Sequence, residues 1–106
     1  MEIIFEKEYL KELYEERKAR NKKHRYQPNV VNKYIQTIDK IRAAKDIEEL
    51  YPIKSLNYEK LRGNKLGLAS VRVDNKYRIE FYTTIEGEEP ESITICSIVE
   101  LSNHYK

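Results

Sequence analysis

The stretch Leu68–Tyr82, Leu-Ala-Ser-Val-Arg-Val-Asp-Asn-Lys-Tyr-Arg-Ile-Glu-Phe-Tyr, constrains this chain more than any other. Apolar and polar residues alternate at period two on either side of a short polar break, which predicts two strands and a tight turn. Val71 and Val73 share one face of the first strand, and Tyr77, Ile79 and Phe81 share one face of the second. Arg72, Arg78, Glu80 and Tyr82 then fall on the other. A sheet that buries one face holds its register strictly, because a slip of one residue turns every side chain over. A two-residue loop at Asp74-Asn75 would set Arg72 against Tyr77 and mix the faces. A three-residue loop, Asp74-Asn75-Lys76 with Asn75 or Lys76 in the left-handed region, pairs Val73 with Tyr77 and Val71 with Ile79. That register places Arg72 directly across from Arg78.

Like charges facing each other across a strand pair destabilise it by roughly 0.2–1 kcal/mol. Either both guanidiniums splay into water or pair with Glu80, or they form a forked cationic floor for a phosphate or carboxylate.

A chain of 106 residues makes one domain, residues 1–106, able to bury about 65% of its unfolded surface without staples. Its N-terminus is charged within a few residues and no apolar run approaches membrane length, so no signal peptide or membrane span is expected. Cys96 is the lone cysteine and sits in an apolar strand. It reads as a small buried residue in a protein of the reducing cytoplasm. The net charge is only +2, yet it is unevenly spread. Arg17, Lys18, Arg20, Lys22, Lys23 and Arg25 form a basic run, and from Lys54 to Arg78 seven basic residues face two acidic ones. Glu86, Glu88, Glu89 and Glu91 crowd one loop. Such segregation creates a local positive field suited to a polyanion.

In chain order, Glu2–Glu6 reads as a strand, and Lys7 to about Lys18 as a helix burying Leu10, Leu13 and Tyr14. After the basic loop, Pro28 opens a second helix to about Ala44, with Val31, Tyr34, Ile35, Ile38 and Ile41 as its apolar stripe. Asp46 and Glu49 have capping-box spacing for a short turn. Leu56–Leu61 is extended, and Gly63 and Gly67 bracket a loop. The last strand, from about Ser92 to Leu101, loses its alternation between Ile95 and Ile98, which implies a bulge near Cys96 or burial on both faces. The expected fold is α+β: an N-terminal strand, a two-helix hairpin, then an antiparallel sheet of three to four strands with both helices on one face.

No metal-ligand spacing and no phosphate-cradling glycine motif occurs, and neither metal nor cofactor is expected. A nucleophilic Cys96–His104 pair would need both groups exposed together. What remains is arginine, lysine, tyrosine and the tail histidine around a sheet face. That set can cut RNA without metal, since the 2′-hydroxyl attacks its own phosphate. The protein then needs only a proton acceptor, a proton donor and fixed positive charge.

Leu61-Arg62-Gly63, then Gly67-Leu68-Ala69-Ser70-Val71-Arg72-Val73 and Tyr77-Arg78-Ile79-Glu80-Phe81, with an Asn103-His104-Tyr105 tail, resemble the RelE/ParE superfamily, and within it the HigB-type toxins of bacterial type II toxin–antitoxin modules. The resemblance implies a RelE-like fold and ribosome-dependent cleavage of mRNA. It also implies silencing by a cognate, HigA-like antitoxin with a DNA-binding domain. It implies that Arg78 stabilises the transition-state phosphate and that Arg62, in the usual place of a lysine, contacts the same phosphate; Arg72, set across from Arg78 by the register, is a further catalytic candidate. The tail departs from the usual Asp-Tyr-His, so His104 and Tyr105 are candidates for general acid, general base or base stacking without a fixed assignment. The family histidine upstream of Leu61-Arg62-Gly63 has no counterpart; Asn57 and Tyr58 stand there. Lys54, Lys60, Lys65 and Lys76 are candidate RNA-backbone contacts. Two other readings accompany the nuclease: a ParE-like toxin that binds gyrase, and a degenerate member that only binds its antitoxin.

Overall fold

The structure, a computed structural model, describes residues 1–103. Candidates His104 and Tyr105 therefore lie outside the described residues. The order is β1 (Glu2–Phe5), α1 (Glu8–Glu16), α2 (Pro28–Ala43), β2 (Glu59–Lys60), β3 (Ala69–Arg72), β4 (Arg78–Glu86) and β5 (Ile93–Ser102), with short 3-10 turns between them. The strands form one sheet in the order β1-β5-β4-β3-β2. Both helices are as expected, with ends one or two residues shorter.

The sheet keeps the expected pattern, with β2 to β5 antiparallel, and β1 joins its edge. It has five strands and is mixed, because β1 runs parallel to β5 with Ile3 opposite Cys96 and Phe5 opposite Ile98. A parallel neighbour needs a long crossover, and everything between β1 and β5 supplies it. Leu56–Leu61 divides into a 3-10 turn, Lys54–Leu56, and the two-residue β2.

One face of the sheet carries the core. Val71, Ile79, Phe81, Cys96 and Ile98 are fully buried there, against Leu10 and Leu13 of α1 and Tyr34, Ile38 and Ile41 of α2. Tyr34 donates its hydroxyl to the Leu10 carbonyl at 2.8 Å, so the buried ring leaves no orphan donor between the helices. Burial raises its ionisation far above the ordinary range. Val31, Ile38 and Ile41 bury as the helical stripe requires, while Ile35 is only half-buried.

The break between Ile95 and Ile98 in β5 is burial on both faces, and a separate bulge lies three residues beyond Cys96. Phe81 pairs with Ile98 and Glu80 with Glu100, so Val99 is the extra residue. Before it Cys96 and Ile98 face the helices; after it Leu101 does. Ile95 is buried on the opposite face.

The basic run folds back on α1. Arg17 ends the helix at φ 64°. The buried Glu12 carboxylate accepts the Arg20 backbone N–H at 2.9 Å and pairs with the Arg20 side chain at 3.5 Å. Arg25 Nε donates to the Ala19 carbonyl at 2.7 Å, and His24 stacks on Tyr9 with ring centroids 3.6 Å apart.

Burial pushes the Cys96 thiol up from 9.0 to about 12, which removes the thiolate and its reactivity. Iodoacetamide at pH 8 is expected to label the native chain very slowly and the urea-unfolded chain quickly. The unfolded chain loses this proton first, so stability should fall as pH climbs from about 9 toward 12.

Candidate functional site

The site is built on the β3–β4 turn. Asp74 Oδ1 accepts the backbone N–H groups of Lys76 and Tyr77, both at 2.8 Å, and Val73 N–H meets the Tyr77 carbonyl at 2.9 Å. Three residues make the loop, but neither Asn75 nor Lys76 is left-handed: among the described residues the non-glycine positions of positive φ are Arg17 and Asn57. The aspartate side chain closes the turn instead, as Asx turns do.

In this register Val71 stands opposite Ile79 and Arg72 opposite Arg78. The sheet face away from the helices thus carries Arg72, Arg78 and Ser102 in one row, and Ser70, Glu80 and Glu100 in the next. Each carboxylate of the second row takes a lysine. Lys65 Nζ reaches Glu80 at 2.7 Å and Lys7 reaches Glu100 at 3.0 Å, and that hydrogen bond raises the Lys7 pKa above its ordinary value.

The two arginines share a row but not an environment. Arg72 is exposed and folds over the turn, Nε donating to the Asp74 carbonyl at 3.2 Å and Nη2 to the Asn75 side chain. Arg78 is not exposed. It keeps only 5% of its surface in water, with Nε donating to Ser70 Oγ at 2.9 Å and Nη2 to the carbonyls of Ser70 and Asn57. Asn57 reaches it because its backbone is left-handed, φ 42° and ψ 61°, at the end of the Lys54–Leu56 turn. Asparagine tolerates that conformation. The expectation of two open guanidiniums side by side therefore becomes one buried, locked guanidinium beside one at the rim.

Arg62 is exposed and lines a cavity of about 420 Å³ with Lys60, Leu66, Phe81, Tyr82 and Thr83. Arg72 and Lys76 line a separate recess of about 560 Å³. Lys54 and Lys60 are exposed, Lys65 half-buried on Glu80. Around the Arg78 end of the sheet stand aromatic rings that sequence reasoning missed. Tyr9 Oη accepts the Leu101 N–H at 3.1 Å. Tyr26 meets Tyr77 edge-on at 5.4 Å, and burial pushes its hydroxyl up to about 12. Ser70 was signalled by its shared parity with Arg72; the Asn57 carbonyl had no sequence signal. Among the described residues, no three His, Cys, Asp or Glu side chains gather as a metal site would need.

The HigB-like toxin model, described as a RelE-like toxin of the type II toxin–antitoxin system HigB, matches residues 3–97. Arg62, Arg72 and Arg78 lie inside that match and His104 and Tyr105 beyond it. A YoeB/ParE toxin from Agrobacterium tumefaciens is similar in fold, with a TM-score of 0.56 and 19% identity over 99% of this chain and 100% of that one. No curated protein matches significantly.

Removing the Ser70 hydroxyl would leave the Arg78 Nε–H buried without its acceptor. Ser70→Ala is expected to cost about 1–3 kcal/mol, measured by urea unfolding; an unchanged midpoint would show the bond to be dispensable.

Proposed function

Because the chain belongs to the HigB-like toxin family, and so has an antitoxin as partner, we propose that it is an endoribonuclease that cuts mRNA on the ribosome without metal. The observation that supports this reading is Arg78. Burying a guanidinium is costly, and a well-packed apolar side chain would serve the fold as well or better. Setting it opposite a second arginine adds repulsion. A cation locked in place by Ser70 and Asn57 makes sense as charge preorganised for a phosphate.

In the proposed reaction the 2′-oxygen forms a bond to phosphorus and loses its proton to a general base. The bond from phosphorus to the 5′-oxygen breaks, and a general acid protonates that oxygen. The products are a 2′,3′-cyclic phosphate and a 5′-hydroxyl. Arg78 stabilises the crowded phosphorane, with Arg72 and Arg62 as further cationic contacts. His104 and Tyr105 are the proposed proton carriers. Lys54, Lys60, Lys65 and Lys76 are proposed to hold the RNA backbone. The proposed partner is a HigA-like, DNA-binding antitoxin that lies against the helices and the basic loop Arg17–Arg25, and the proposed compartment is the cytoplasm. Among the described residues no helix is long and apolar enough to cross a membrane.

Arg78→Lys keeps a charge but loses the planar fork. It is expected to lower mRNA cleavage roughly 100- to 1,000-fold, the usual cost of one transition-state donor, while the antitoxin still co-purifies. Mapping mRNA ends after brief induction reads cleavage directly, beside a gyrase supercoiling assay. Parent-level cutting by Arg78→Lys would remove Arg78 from the mechanism. Inhibited supercoiling with intact mRNA would replace the nuclease with a gyrase-binding toxin.

A further inference from the structure

A recess of about 560 Å³ lies between the start of α2 and the β3–β4 turn. Lys33 enters it from α2, Lys76 from the turn and Arg72 from the end of β3. Neither lysine ammonium has an acidic partner among the described residues, and Arg72 is held by a carbonyl and an amide rather than a carboxylate. The one carboxylate on the wall, Asp74, is already turned to the backbone N–H groups of Lys76 and Tyr77. Three cations thus face one recess against a single carboxylate, an excess of positive charge that favours an anion.

The remaining walls are suited to a base. Tyr77 is half-buried, in a T-shaped contact with Tyr26, and lines the recess. The amide groups of Asn29 and Asn75 supply paired donors and acceptors at its margin. The volume falls within the range of small-ligand sites, about 300–1,000 Å³, so a single nucleotide can enter but a duplex cannot.

We propose that this recess is a nucleotide subsite that seats one phosphate and base of single-stranded RNA, flanking the bond that is cut. The proposal rests on the nuclease reading for its choice of RNA. It adds Lys33 and Asn29 of α2 to the binding surface. Arg72 connects the two places, since it stands opposite Arg78 in the sheet and lines the recess.

The test is binding of a fluorescent 2′-O-methyl RNA heptamer, which cannot be cut, to the full chain across a range of salt. Lys33 and Lys76 are exposed and have no acidic partner among the described residues, so Lys33→Ala/Lys76→Ala should fold as the parent does. The double variant is expected to bind roughly tenfold more weakly. The slope of log affinity against log salt should become shallower by about 0.7, one single-strand phosphate contact. Parent-like affinity and slope would overturn the subsite, as would tighter binding of a duplex of the same sequence. The two readings fail separately. Unchanged binding by the double variant with cleavage lost in Arg78→Lys sinks only the recess. Weakened binding by the double variant with no cleavage by the parent leaves an RNA site and removes the nuclease.

Discussion

Burial of Val71, Ile79 and Phe81 beneath α1 and α2 sets the parity of the central hairpin, and every other placement follows from it. A strand that commits one face to the core has no freedom left for the other. Once these side chains turn toward the helices, Arg72, Arg78 and Glu80 must share the opposite face in adjacent rows. Asp74 makes the arrangement specific, because its carboxylate closes a three-residue loop and excludes the two-residue alternative that would mix the faces.

The charged face is then satisfied group by group rather than left open to water. Glu80 and Glu100 stand across from each other and each draws in a lysine from another segment. Arg78 draws the chain at Asn57 into a left-handed turn above it. In this way the segment Lys54–Lys65, poor in regular structure, is tied to the sheet by polar contacts at both ends. Such a surface separates rigid and adaptable cations: Arg78 is fixed by packing, whereas Arg62, Lys33 and Lys76 stand on exposed loops or a helix. That division suits a phosphate held at one point and a strand that can move past it.

Local patterns carried much of this in legible form. The helices, the hairpin and its register, the buried Cys96 and the Arg72–Arg78 pairing follow from periodicity and from proline and aspartate positions. The break between Ile95 and Ile98 was visible in the sequence and is burial on both faces, whereas the bulge at Val99 is defined only by what Phe81 and Glu80 pair with across the sheet. The candidate residues were named from the sequence without any geometry. Arg72 and Arg78 look equivalent in sequence, yet one lies at the rim and the other is buried. The difference comes from a carbonyl twenty-one residues away, which no spacing rule connects to Arg78.

By itself the sequence determined which side chains share a face, because a period of two or 3.6 is a local property of the backbone. It also determined that basic residues outnumber acidic ones from Lys54 to Arg78. Tertiary structure decided the direction of β1, the burial of Arg78 and the separation of Arg62 and Arg72 into different cavities. Those outcomes depend on segments far apart in the chain that meet only when the core closes, and a free energy shared between distant partners leaves no mark on either one alone.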